Sequence, residues 1–174
     1  VIAATEAQKR LVRLSMEERD QIVKLVKSMA KENAQAWGKM EFDETRIGRL
    51  DHKIEKLQIL ELVPGVEYLK TYADSGSNGV CLEEFAPFGV IGIVTPVTHS
   101  VPTLSANVIN MVASGNSIVC NPHPSGAKCA DLIVLIIGLA FALFGGGILL
   151  GLSVGFGSLG QTAAVAIYTV GLMT

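Results

Sequence analysis

The sequence predicts an α/β protein in three parts: helices over residues 1–72, a parallel strand–helix–strand unit over 73–130, and an apolar, Gly-rich tail of helical character over 131–174. Three observations carry this. Nearly all charge lies between Glu6 and Asp74, with only Glu83, Glu84, Lys128 and Asp131 beyond it. The apolar period changes from three or four residues to continuous β-branched runs after about residue 75. Two proline-fixed turns then close two short strands, with a helix-length segment between them.

In the first part, Leu11, Leu14, Ile22, Leu25, Val26 and Met29 recur at helical spacing among charged residues, which makes apolar stripes. Ser15 and Glu18 form a capping-box pattern at a helix start. Gly38 is expected to end that helix. A further helix is expected from Glu41 to Leu62, with Ile47, Leu50, Ile54, Leu57 and Leu60 on one side and Pro64-Gly65 as its stop. His52 reads as a surface residue, Trp37 and Tyr72 as packing residues, and no chemistry is visible in these helices.

The second part opens with a turn cluster, Ser75 to Gly79, and an exposed strand from Val80 to Phe85. Phe88 to Thr95 is a continuous apolar run, as expected for a central parallel strand covered on both faces, and Pro96 ends it. Ser100 and Pro102 signal a helix start, a hydroxyl cap followed by a ring in the first turn. That helix should reach Ser114 and close at Gly115-Asn116, residues that tolerate the left-handed conformation. Ser117 to Asn121 is a second buried strand, ended by Pro122-His123-Pro124. In a βαβ unit of this size, ligands bind beyond the carboxyl ends of the strands. Thr95 to Ser100 and Asn121 to Ser125 should therefore lie side by side, and a nucleotide there would gain hydrogen bonds from the helix start after Ser100.

Ala86-Pro-Phe-Gly-Val-Ile-Gly-Ile-Val-Thr-Pro96 and Asn107-Val-Ile-Asn-Met-Val-Ala-Ser-Gly-Asn-Ser-Ile-Val-Cys-Asn-Pro-His-Pro124 resemble the corresponding stretch of the CoA-acylating aldehyde dehydrogenases, of acetaldehyde and propionaldehyde type. Val63-Pro-Gly-Val-Glu67 and the preceding helices fit that family more loosely, so the resemblance covers about residues 1–130. It implies the aldehyde dehydrogenase fold, with a partial Rossmann-like NAD-binding unit. It also implies a cytoplasmic, homo-oligomeric parent enzyme that converts a short-chain aldehyde to its acyl-CoA with NAD and CoA, through a cysteine thioester.

By the same resemblance Thr95, Pro96, Val97 and Thr98 would line the nicotinamide–ribose side of the cofactor. Asn121, Pro122, His123 and Pro124 would lie near its adenosine end, or near CoA. One departure stands out: the family often reads Thr-Pro-Ser-Thr-Asn-Pro at the first turn, and this chain reads Thr95-Pro-Val-Thr-His-Ser100. An Asn there could donate to a developing oxyanion; His99 can donate with different geometry. The family's nucleophile lies beyond this unit. Cys120, inside a buried strand with no adjacent base, reads as a core residue, and Cys81 and Cys129 have no partner signal. The chain alone is expected to be inactive.

Net charge is −2, from 14 Lys and Arg against 16 Asp and Glu, with no basic tract to suit a nucleic acid. Three cysteines without a CxxC pair argue against a disulfide framework or a zinc knuckle. The opening Val1, without Met or a signal-peptide pattern, reads as a chain short of its true beginning.

No charge follows Asp131, and the tail does not look like the family's continuation. Three readings stay open for it. Leu132 to Val154 is long enough for a membrane contact or span, with Gly147, Gly151 and Gly155 as a small-residue stripe. Gly155-Phe-Gly157-Ser-Leu-Gly160 is a formal, weak dinucleotide-loop pattern. The third reading is a continuation that does not belong to the first 130 residues, such as a reading-frame slip. Two other function classes remain: a non-catalytic nucleotide-binding module, and a small membrane-attached protein defined by its tail.

Overall fold

A computed structural model of the chain describes residues 1–143 together with Ser153–Val154. Four helices come first: α1 (Ile2–Leu11), α2 (Met16–Glu32), α3 (Ala34–Thr45) and α4 (Leu50–Gln58), the last running into two short 3-10 turns. The capping box at the start of α2 forms as read, with Ser15 Oγ accepting from the Glu18 amide and the Ser15 amide donating to the Glu18 carboxylate.

The helix boundaries differ from the sequence reading. α2 ends at Glu32, and Gly38 lies inside α3. The single helix expected from Glu41 to Leu62 is broken by Arg46, in the left-handed conformation, and by Gly48. Gly38 is there for close approach. A β-carbon on it would stand 2.9 Å from Ile54 Cγ1 and 3.1 Å from the Ile54 amide nitrogen. Its absence lets α4 lie tightly on α3.

A two-stranded antiparallel hairpin follows, β1 (Tyr72–Gly76) and β2 (Gly79–Glu83). Gly76 pairs with Gly79, so the turn is only Ser77-Asn78, narrower than the cluster suggested. Tyr72 is 64% exposed on this hairpin and is not a packing residue, whereas Trp37 is buried in the core and His52 is exposed as read.

The α/β part is β3 (Val90–Thr95), α5 (Ser100–Ala113), β4 (Ser117–Pro122), α6 (Ala127–Leu143) and β5 (Ser153–Val154), in a parallel sheet of order β3-β4-β5. α5 ends as its sequence demands. The Gly115 amide bonds the Val112 carbonyl and the Asn116 amide the Met111 carbonyl, with Gly115 at φ +76°. This is the Schellman pattern, which only a residue tolerant of the left-handed region supports. The core joins Leu11, Val23, Val26 and Trp37 of the helices to Leu104, Val108 and Ile109 of α5 and Ile118 of β4.

Among the described residues, strand β3 is not covered on both faces. It is an outer strand of the sheet, and Val94 is 74% exposed. Ile133, Val134 and Ile137 of α6 are buried in the same core. Ser153 and Val154 pair in parallel with Val119 and Cys120. The first part of the apolar run, through Leu143, thus packs against α5 and α3, and its far end at Ser153–Val154 is strand. Among the described residues, no helix is long and apolar enough to cross a membrane. The Gly147, Gly151 and Gly155 stripe and the Gly155–Gly160 pattern lie outside the described residues.

Candidate functional site

The parallel register places Val94 opposite Asn121 and Thr95 opposite Pro122. The His123 amide then donates to the Thr95 carbonyl across 3.1 Å, so the turns after β3 and β4 share one edge. Along this edge Thr95 and Pro122 are buried, Pro96 and Val97 half-buried, and Thr98, Asn121, His123 and Pro124 exposed. The two turns named from the sequence are thus adjacent, with four of their eight residues open to solvent.

The helix start after Ser100 is built otherwise than its sequence suggests. Ser100 does not cap α5; its buried hydroxyl lies 3.1 Å from Thr95 Oγ1. The amide of Val101 donates instead to Glu41 Oε1 of α3, at 3.0 Å. Glu41 is fully buried and lies 3.2 Å from Lys53 Nζ of α4, which is 2% exposed. Lys53 Nζ also donates to the Thr98 carbonyl, at 3.0 Å. One turn along α3 from Glu41, Glu44 accepts from the amides of Lys128 and Cys129 at 3.0 and 2.7 Å, and so caps α6. Carboxylates at helix starts are favourable because the free amides there carry partial positive charge. Here they are supplied from a neighbouring helix. The Val101 amide in the first turn of α5 is therefore occupied and is not open to a nucleotide phosphate.

Glu41, Lys53 and Glu44 were not legible as site residues, because charged residues in helices ordinarily face water. A signal existed. Lys53 falls four and seven residues before Leu57 and Leu60, and Glu41 four residues after Trp37, on the buried stripes of their helices.

His99 stands between these anchors. Its Nδ1 lies 2.7 Å from Thr98 Oγ1. Burial holds its imidazole below the usual histidine range, with Lys56 and Lys53 adding to this and Glu41 opposing it. The ring is therefore neutral at pH 7, with one N–H to donate. Beside it opens a groove of about 570 Å³, lined by Ile59, Leu62, Val63, Pro102 and Ala106, with Lys56 at the rim.

No thiol in this region is poised for attack. Cys120 is buried under Thr95, and burial pushes its thiol up to about 11. Cys129 is also buried and pushed up, first by desolvation and then by Glu44. Cys81 is exposed on the hairpin. Among the described residues, no cluster could hold a metal ion.

Comparison with known proteins decides the family. Residues 1–142 match the aldehyde dehydrogenase family. The chain belongs to that family. The match includes most of α6 and so runs past Ala130, where the likeness read from the sequence stopped. An acetylating acetaldehyde dehydrogenase of Bilophila wadsworthia is 38% identical over 141 residues, which are 80% of this chain and 29% of the relative. A CoA-propanoylating propanal dehydrogenase of Salmonella typhimurium is 40% identical over 129 residues, 73% of this chain and 26% of the relative.

Solved structures agree. A propionaldehyde dehydrogenase mutant from the fucose utilisation microcompartment of Clostridium phytofermentans matches with a TM-score of 0.85 at 38% identity, covering 91% of this chain and 37% of that one. A propionaldehyde dehydrogenase of Rhodopseudomonas palustris, solved with propionyl-CoA bound, matches with a TM-score of 0.83 at 35% identity, covering 90% and 35%. An engineered glycolyl-CoA reductase with bound NADP+ matches with a TM-score of 0.84 at 34% identity, covering 92% and 37%. The aldehyde dehydrogenase chain described here thus spans about a third of the length of these relatives.

Proposed function

We propose that this chain is the N-terminal, cofactor-side portion of a CoA-acylating aldehyde dehydrogenase that uses NAD and CoA on a short-chain aldehyde. The observation that carries the reading is the shared edge: Thr95 opposite Pro122, tied by the His123 amide. In this reading Thr95, Pro96, Val97 and Thr98 flank the nicotinamide ribose, and Asn121, Pro122, His123 and Pro124 the adenosine end or CoA.

The residues fit the hydroxyl-bearing parts of a nucleotide. Asn121 and His123 offer exposed donors and acceptors, and Thr98 an exposed hydroxyl. At the start of α5 they do not offer a phosphate the Val101 amide, because Glu41 already accepts from it. NAD supplies the hydride acceptor when bound; the chain's own part is to hold it and to exclude water along the half-buried Pro96-Val97. With Nδ1 accepting from the Thr98 hydroxyl, His99 can donate its Nε2–H to a carbonyl oxygen in the adjoining groove, whose apolar wall suits a short alkyl chain.

With no activated thiol in the described site, the purified chain should form no NADH from acetaldehyde or propionaldehyde and CoA. Binding should be weak, about millimolar or about 4 kcal/mol, because only part of the parent's domain is present. Chemical-shift mapping with NAD and with CoA tests the reading. Shifts at Thr95–Thr98 and Asn121–Pro124 are expected, and shifts confined to Gly115 and Asn116 at the opposite edge would remove it.

A further inference from the structure

We infer that the buried Glu41–Lys53 pair is the positioning element of the loop from Thr95 to Val101, and through that loop of His99. The inference takes its functional interest from the cofactor-side reading above, but its test uses no nucleotide, so the two fail separately.

The geometry brackets His99. Lys53 Nζ holds the Thr98 carbonyl on one side, and Glu41 Oε1 holds the Val101 amide on the other. The two charges come from different helices and lie within 3.2 Å of each other, both nearly inaccessible to solvent. A buried pair of this kind carries a desolvation cost of several kcal/mol per ion, and apolar residues of like volume would pack two helices at no such cost. What apolar residues could not supply is one donor and one acceptor on the backbone of a loop 45 and 60 residues away. Glu41 Oε2 has no hydrogen bond of good geometry. Packing of α3 on α4 alone would not require Oε1 to face away, toward Val101. The groups acting on the His99 ring are Lys56 and Lys53 of α4 and Glu41 of α3, while α5 carries no charged residue and Glu61 of the intervening 3-10 turn pairs with Lys31.

Three variants of the whole chain test this, read by amide exchange and by titration of the His99 ring. Glu41→Gln keeps an acceptor and removes the charge. Both Glu41 variants leave Lys53 unpaired, so the comparison between them isolates the acceptor: exchange at Val101 should rise less in Glu41→Gln than in Glu41→Ala, and the His99 pKa should fall because an opposing anion is gone. Glu41→Ala removes both, and exchange at Val101 should rise on the order of tenfold or more, as for loss of a charge-assisted hydrogen bond. The double change Glu41→Gln with Lys53→Met leaves no unpaired buried charge and guards against simple unfolding. It should shift the Thr98–Val101 backbone resonances while those of Asn121–Pro124 and the emission of Trp37 stay put. The inference is overturned if Glu41→Ala leaves Val101 exchange unchanged, or if the double variant disturbs both turns equally, since either means that the pair serves only general stability.

Discussion

The two turns at the carboxyl edge are similar in sequence and different in construction. Each follows a strand, contains proline and precedes a helix whose free amides meet a carboxylate of α3. The first turn is held from behind, by the buried Glu41 and Lys53 and by the Thr95–Ser100 hydroxyl contact. The second is held largely by itself: His123 Nδ1 accepts from the Ser125 amide, and the half-exposed Glu44 supplies the cap. The difference teaches that similar turn signals can rest on unlike supports. One depends on a buried pair whose loss is costly; the other on a half-exposed carboxylate whose loss costs less.

The change expected to break this contrast most strongly is Lys53→Met, which strands a buried carboxylate. It should lower unfolding free energy by about 3–5 kcal/mol in urea, followed by Trp37 emission. Opening should then become frequent enough to raise alkylation of Cys120 by about a hundredfold or more, with Cys81, already exposed, unaffected. A Cys120 that labels at the parent rate would show that the first turn does not depend on the pair.

Gly38→Ala acts on the same support one step back. The added methyl must push α4 from α3 and draw Lys53 away from Glu41, an overpacking cost of about 1–3 kcal/mol partly offset by about 1 kcal/mol of helix propensity. A net loss measured by thermal unfolding is expected; a stabilised protein would mean that α4 moves freely. Glu44→Ala, at the second turn, should cost about 1 kcal/mol and leave Cys120 protected, which sharpens the contrast.

The smallest effect concerns pH. His99 has a folded-state pKa below its unfolded value of 6.5, so its protonation favours the unfolded chain. Its contribution is fully present above pH 6.5 and is lost as pH falls through the lower, folded value. His99→Asn should remove that part of the acid sensitivity, as read from unfolding midpoints at two pH values.

Much of the α/β part was legible. Pro96 and the β-branched run mark β3, and Gly115-Asn116 mark the helix end, because local conformational demands act on adjacent residues. The adjacency of the two turns followed from the spacing of a βαβ unit. What was hidden depends on partners distant in sequence. Ser100 looked like a cap because its neighbours in sequence said so, yet Glu41 reaches Val101 from 60 residues away. Gly38 looked like a helix end, since glycine's backbone freedom is visible in sequence and a neighbouring helix is not. The apolar segment after Asp131 matched a membrane length, while the burial of Ile133 and Ile137 shows its beginning satisfied by protein.

Both ends of α5 meet a charged side chain of opposite sign to the helix end. Glu41 meets the Val101 amide in the first turn, and at the far end Arg19 Nη1 donates to the Ala113 carbonyl, at 3.0 Å. The partial charges that an open helix would project are spent inside the fold. A ligand at this edge meets shape and neutral hydrogen bonds more than a field, so its affinity should change little between low and physiological ionic strength, unlike that of an anion held by an exposed helix terminus.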